Sequence, residues 1–312
     1  MQNPELPRAS ECGTYSSLAI DAGGSYFKSV IVKSDGSIVA ESFCQRPVIS
    51  SGSKDNIIGA YREIISAGLA CAKTHRLEIK GLGISTPGPF DYERGVSLMK
   101  HKFQAIINIP LRDEIYMLKL LEENIPISFI QDVHAFLLGE NWTGVLKGCP
   151  DAIAVTLGTG LGFGVMKNSK IMDNGHGGPF MVIYNRPYGN GIIEDRISRR
   201  GIIREYCRTA NPADKGIDVH EIALKARENA DPHAIRVFAE TGRILAGELE
   251  KIIRELQVTN IVFGGQISKS FDLFGQSFIQ TLSEMKCRAN AFPGKNISSS
   301  ALCGAARVAM RG

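Results

Sequence analysis

The chain has 312 residues, 44% of them hydrophobic and 22% charged, with a formal net charge of +4. This length allows two packed domains, because single cores stop growing near about 250–300 residues, and the composition excludes extensive disorder. Lys and Arg are dispersed, so no basic tract marks a nucleic-acid partner, while the mildly positive balance suits an anionic small molecule.

The first segment, residues 1–16, is expected to be flexible. It has no apolar signal core, and no run of 18 apolar residues occurs anywhere, so neither a leader nor a membrane span is expected and a cytoplasmic location is. Cys12, Cys44, Cys71, Cys149, Cys207, Cys287 and Cys303 are scattered, odd in number and never spaced C-x-C or C-x-x-C. They are expected to be free thiols in a reducing compartment.

Ordered structure is expected from "LAIDAGGSYFKSVIVKSDGSIV" (18–39), which reads as strand, glycine turn, strand, tight turn and a third apolar run. Ile57, Tyr61, Ile64, Ile65 and Leu69 recur at helical spacing, "KGLGIST" reads as a buried strand, and "ISFIQD" (127–132) as another that gives way to the helix "AFLLGENW". "IAVTLGTGLGFGVMK" (153–167) has a glycine at every second position from Gly158 to Gly164. It fails the dinucleotide pattern G-x-G-x-x-G, since Phe163 takes the third glycine's place and a strand, not a helix, follows. Val237, Ile244, Leu245, Leu249, Ile252 and Leu256 mark a long helix feeding the strand "NIVFGG" (260–265), and "SALCGAARVAM" is a small-residue helix able to pack tightly.

The two glycine segments share a plan. At an offset of 135, Asp21 falls on Thr156, Gly23 on Gly158, Ser25 on Gly160 and Val30 on Val165. Two lobes of mixed α/β structure built on one β-meander are expected. A pair of glycine turns facing one another would offer unobstructed backbone N–H groups to a polyphosphate. The competing use of each glycine is a tight hairpin.

Five motifs in order resemble the ROK sugar kinases, a branch of the actin-like ATPase fold that includes bacterial glucokinases and N-acetylmannosamine kinases. "DAGGSYFKSVIV" is similar to the family's first phosphate motif, "STPGPFD" (85–91) to its S-x-P-G loop, and "QDVHAFLLGE" (131–140) to its N-D-A-N-x-A-A-L-G-E motif. "TLGTGLGFG" (156–164) resembles the second phosphate motif and "FGGQIS" (263–268) the adenosine turn. The resemblance runs from residue 17 to the end. It implies a two-lobed fold with a central cleft, divided into 17–129 plus 299–312 and 130–298, that phosphorylates a hexose or hexose derivative from ATP with Mg²⁺, and a homodimer.

Site residues follow from the same motifs. Asp132 is implied as the base that accepts the acceptor hydroxyl's proton, its alternative being a helix N-cap. Asp21 is implied as a Mg²⁺ ligand, direct or through water; its alternative is to accept hydrogen bonds from the turn. Gly23, Gly24, Ser25, Lys28, Thr156, Gly158, Thr159 and Gly160 are implied to hold phosphates, and Gly264 and Gly265 to flank adenosine. Ser85, Pro87, Gly88, Gln131 and Glu194 are implied on the sugar side with Asp132.

The departures fall mostly on that side. The family's structural zinc is held by one histidine and three cysteines, whereas "GHGGPFMVIYNRPYGNGIIEDRIS" (175–198) has no cysteine, and His176 alone cannot supply about four ligands. No zinc is expected. Glu194 matches the second sugar-binding glutamate, but Pro179, Phe180 or Met181 replaces the first. Gln131 replaces an asparagine, and "KHKF" (100–103) stands where an asparagine often touches the sugar. An altered polar set implies an altered substrate. Lys102, Arg186, Arg196, Arg199 and Arg200 allow an anionic sugar or form a solvated face. Three functions are weighed: a kinase, a sugar- or nucleotide-binding regulator that has lost catalysis, and a repressor. The last requires a helix-turn-helix of several dozen residues, whereas about sixteen residues precede the first strand, so a repressor is not expected.

Overall fold

The apolar runs around the first glycine turn form a hairpin, β1 (Ser16–Ala22) with β2 (Tyr26–Lys33), edged by β3 (Cys44–Pro47). The computed structural model describes residues 15–100, 102–210 and 216–311, so most of the expected flexible segment 1–16, with Cys12, lies outside the described residues. Helix α1 (Lys54–Thr74) is capped by Ser53, whose Oγ accepts from the Asn56 N–H while Asn56 Oδ1 accepts from the Ser53 N–H. It buries Ile57, Tyr61, Ile64 and Ile65 as the helical spacing requires, and each such side chain contributes about 1.5–3 kcal/mol. Strand β4 (Ile79–Thr86) pairs parallel with β1. A small hairpin, β5 (Phe90–Asp91) and β6 (Val96–Ser97), and helix α2 (Leu111–Met117) lead to β7 (Ile127–Gln131), parallel to β4.

After helix α3 (Asp132–Trp142) the plan begins again with the meander β8 (Ala152–Leu157), β9 (Leu161–Lys167) and β10 (Lys170–Met172). A short hairpin, β11 (Pro187–Tyr188) with β12 (Gly191–Ile192), precedes α4 (Glu194–Ile197), α5 (Arg199–Thr209), α6 (Val219–Glu228) and α7 (Pro232–Leu256). Then come β13 (Asn260–Gly264), α8 (Phe271–Glu284), β14 (Asn290–Pro293) and α9 (Ser300–Ala309). The sheet orders β3-β2-β1-β4-β7 and β10-β9-β8-β13-β14 are the same, with antiparallel and parallel pairings in the same places. The repeat inferred at an offset of 135 is therefore a repeat of sheets. The second hairpin is one residue tighter, since Asp21 faces Lys28 but Thr156 faces Gly162.

Each sheet has its own core, one around Ile20, Phe27, Ile57 and Leu82, the other around Val155, Phe163, Phe238 and Phe263. Helix α3 serves both sheets. Ala135 and Leu138 pack with Ala19, Val30 and the α9 residues Leu302 and Ala305, while Val133, Phe136 and Leu137 pack with Ala154, Met166 and Val262. Apolar on all sides, α3 is a buried core helix.

The small residues of α9 are used as expected. A Cβ on Gly304 would lie 1.8 Å from Ala135 O, one on Gly139 1.8 Å from Ser300 O, and one on Gly83 2.0 Å from Ala305 O, so α9 crosses both α3 and β4 at backbone contact. Glu140, fully buried, closes this crossing by accepting from Ser300 Oγ at 2.5 Å, Val145 N at 3.0 Å and Lys295 N at 3.2 Å.

Candidate active site

Strands β1, β4 and β7 run parallel and end together, and the functional side chains of the first half lie at those ends. Asp21 stands beside Ser85 in register, and Thr86 beside Gln131. Ligands collect at the carboxyl ends of such strands. Ser85, itself buried, donates its hydroxyl to Asp21 Oδ1 at 3.2 Å, and Pro87 and Gly88 continue from the end of β4. Burial raises the Asp21 carboxyl above its ordinary range, opposed by the Ser85 hydrogen bond and by Lys28, which faces it across the hairpin. Lys28 is thus a partner of Asp21.

Asp132 is the first residue of α3 and not its cap; Gln131 holds the cap position without a capping side-chain bond. Its Oδ1 accepts from the Val133 N–H at 2.8 Å. Burial, with the negative charge of Asp21 added, raises its carboxyl to about 6, while the Val133 N–H and Lys102 pull it down. The same two carboxylates act on buried phenols, since burial with Asp132 pushes Tyr92 up and burial with Asp21 pushes Tyr61 up. Tyr92 donates to Thr86 O at 3.2 Å. Asp21, Ser85, Tyr92, Lys102 and Asp132 therefore form one electrostatic cluster.

The four alternating glycines divide between two tasks. At Gly158 a Cβ would meet open space, and the Gly158 N–H donates to Gly160 O within the turn. Gly162 and Gly164 make room for α3: a Cβ at 162 would lie 2.3 Å from Thr156 Oγ1 and 2.4 Å from Val133 Cγ2, and one at 164 would lie 3.2 Å from His134 and from Val133. The second pair therefore seats the helix that begins with Asp132. Gly264 is similar, its missing side chain replaced by the Phe136 ring of α3, while Gly265 turns at φ 79° against Leu157 O. Thr159 lies exposed at the tip of the second turn.

Glu194 lies on this second turn. Its Oε2 accepts from the Leu161 N–H at 2.8 Å and lies 2.9 Å from where a Gly160 Cβ would be. A carboxylate thus occupies a backbone donor of the turn, which shows the N–H group aimed at an anion. In the first turn, Gly23 is closed over by Tyr26 O, Ser25 is exposed, and the Lys102 side chain lies over Gly24.

Where the resemblance implies a zinc loop, residues 173–179 are held by hydrogen bonds. Asn174 Oδ1 accepts from His176 N and Gly178 N, Asp173 Oδ1 from Gly175 N, and His176 O from the Tyr92 N–H. His176 is exposed, and among the described residues no group of three His, Cys, Asp or Glu is placed to hold a metal ion. Of the residues in the first glutamate's place, Phe180 is exposed and Met181 packs against the second core. Arg186 pairs with Glu248, Arg199 with Asp218, and Arg196 lies over the Tyr188 ring; Arg200 is exposed. Of the five cations weighed for an anionic sugar, Lys102 is the one whose charge reaches Asp132. The six described cysteines are free, and no described helix is long and apolar enough to cross a membrane.

Two buried polar atoms lie beside Asp132, one on Gln131, which the resemblance implies on the sugar side, and one on His134, to which sequence reasoning assigned no role. Gln131 Oε1 and His134 Nε2 have no hydrogen-bond partner, and burial pushes the His134 imidazole down to about 4 against the charge of Asp173, so it is neutral at pH 7.

The ROK family profile matches residues 17–311. The chain belongs to the ROK family. This ROK chain is 27% identical over 286 residues to a glucokinase of Thermotoga maritima, covering 83% of this chain and 84% of that protein. The crystal structure of a ROK family glucokinase from Streptomyces griseus in complex with glucose and AMPPNP matches 95% of this chain and 100% of that one, at 22% identity and a TM-score of 0.76. A ROK family transcriptional regulator, a homolog of the Escherichia coli MLC protein, matches 95% of this chain and 78% of its own at 18% identity and a TM-score of 0.80. The ROK chain has the actin-like ATPase fold, which kinases and regulators of the family share.

Proposed function

We infer that this protein is an ATP-dependent sugar kinase that transfers the γ-phosphoryl group to a hydroxyl, most simply a primary one, of a hexose or hexose derivative. The observation that carries the reading is Asp132: a carboxyl raised to about 6 at the start of the one helix that both sheets share. A base of that strength is ionised at pH 7 and still basic enough to take a hydroxyl proton as the phosphorus–oxygen bond forms.

The residues fit the groups this chemistry needs. The backbone of Gly24–Ser25 and of Thr159–Gly160 supplies N–H donors for polyphosphate, and Gly158 leaves open space beside it. Asp21, with Ser85 ordering its carboxylate, would hold Mg²⁺ directly or through water; the ion, when bound, neutralises phosphate charge. Gln131 and His134 offer unpaired polar atoms to sugar hydroxyls, as buried groups awaiting a ligand do. The lobes divide at 130 and 299, and closure between them excludes water from the transfer.

The test is ATP consumption with a panel of hexoses, N-acetylhexosamines and hexosamines. Turnover with one of them that vanishes in Asp132→Asn, with nucleotide affinity kept, is expected. Equal turnover in the variant removes Asp132 from the mechanism. Silence across the panel with ATP still bound assigns the regulator, which the replacement of a sugar-binding glutamate by Pro179, Phe180 or Met181 favours.

A further inference from the structure

Lys102 stands where the resemblance implies a sugar-touching asparagine, yet its side chain lies on the first phosphate turn. Cδ and Cε are 3.3 Å, and Nζ 3.5 Å, from the point a Cβ on Gly24 would occupy. The same ammonium lowers the Asp132 carboxyl against its burial. One side chain thus lies on the first glycine turn and acts by its charge on Asp132.

The lysine is held in that place. Phe103, next in the chain, is a buried aromatic in the left-handed region at φ 51° and ψ 34°. This conformation is uncommon for a bulky L-residue and is kept where the surroundings over-determine it. Those surroundings are the Phe27 ring at 6.0 Å and Ser50 O, which accepts the Phe103 N–H at 2.8 Å. Gly24 leaves the lysine stem free to cross the turn.

We propose that Lys102 is a catalytic residue that binds the γ-phosphoryl group of ATP and neutralises its charge during transfer. This rests on the kinase reading above. In the step, the acceptor oxygen bonds to Pγ as the bond from Pγ to the β,γ-bridging oxygen breaks. The hydroxyl proton passes to Asp132, and the leaving electron pair stays on the β-phosphate of ADP. Charge is spread over the three equatorial oxygens throughout, and a lysine ammonium meets it with three donors on a compact point charge. The site needs such a cation because two carboxylates line it. Lys28 offsets Asp21, and Lys102 faces Asp132 and the transferring group.

The experiment compares wild type with Lys102→Met, and Lys102→Gln as a second neutral variant, in two arms. In the binding arm, Mg²⁺ complexes of AMP-PNP and ADP are titrated calorimetrically. Loss of Lys102 is expected to weaken AMP-PNP by about 10-fold or more, the worth of a charge-assisted hydrogen bond, and to leave ADP within about 2-fold. In the turnover arm, with the best sugar of the panel, kcat is expected to fall about 100-fold, as when one preorganised charge-stabilising group is removed, with acceptor KM little changed. The acid limb of kcat/KM should move to higher pH as Asp132 loses its cation, and Lys102→Arg should recover much of kcat. Unchanged kcat with equal losses of AMP-PNP and ADP overturns the proposal, as does a rise confined to the acceptor KM, which would make Lys102 a reader of an anionic acceptor. A wild type that turns over no sugar ends the kinase reading alone, since the AMP-PNP and ADP comparison still decides whether Lys102 recognises the γ-phosphate.

Discussion

Replacing Asp132 with Asn should stabilise the protein while abolishing its turnover. In the folded chain the carboxyl is moved from the ordinary 3.8 to about 6. A raised carboxyl favours folding while protonated and loses that advantage as pH climbs through its folded value. At about 1.4 kcal/mol per tenfold, ionised Asp132 costs the nucleotide-free protein on the order of 3 kcal/mol at pH 8, and about half of that at pH 5. Asparagine escapes this cost and keeps an oxygen for the Val133 N–H. Urea unfolding of wild type and variant in metal-free, nucleotide-free buffer measures the difference at each pH. A variant no more stable than wild type at pH 8, or one whose gain is the same at pH 5, refutes the account of the site as a place where folding stability is given up for basicity.

The acid limb of kcat/KM should lie near pH 6, where Asp132 protonates, and the limb of kcat should lie lower once Mg²⁺ counters the carboxylates; a pH–rate profile flat to pH 4.5 excludes Asp132 as the base. Gly158→Ala and Gly162→Ala should behave oppositely. The first, facing open space, should leave the melting temperature unchanged and raise the KM for ATP, while the second should cost about 1–3 kcal/mol by overpacking and lower kcat by displacing the start of α3. Glu140→Ala removes a fully buried carboxylate that accepts from Ser300 Oγ, Val145 N and Lys295 N, and should cost about 2–3 kcal/mol in urea unfolding. Elemental analysis of protein purified without added metal should find zinc well below stoichiometry, and one zinc per chain would restore a structural metal.

The architecture was legible because repetition amplifies weak signals. One glycine hairpin predicts little, but Asp21 over Thr156 with matching apolar runs predicts two equivalent sheets. The carboxylates were singled out by their match to the family's motifs, each with a structural alternative, and the fold brings both to the ends of parallel strands. What stayed hidden depends on distance in space. Gly158 and Gly162 are the same letter in the same alternation, and only the approach of Val133 separates a glycine that faces open space from one that leaves room for a helix. Glu194 aligned with a sugar-binding residue, yet its carboxylate rests on Leu161 N–H across 33 residues of chain. Lys102 reaches Gly24 from a loop with no regular spacing, and Glu140 reads as the tail of a motif until α9 folds against it.

The glycine crossing of α9 with α3 and β4 also bears on how the protein is made. The helix that carries Asp132 is translated well before the residues that cover it, since the face formed by Ala135, Leu138 and Gly139 packs against residues 300–306. Until they arrive, that face is wet and Glu140 lacks Ser300. A nascent chain can therefore complete the sheet β3-β2-β1-β4-β7 while the helix that carries Asp132 is still uncovered, and that helix is seated only once residues 300–306 have emerged.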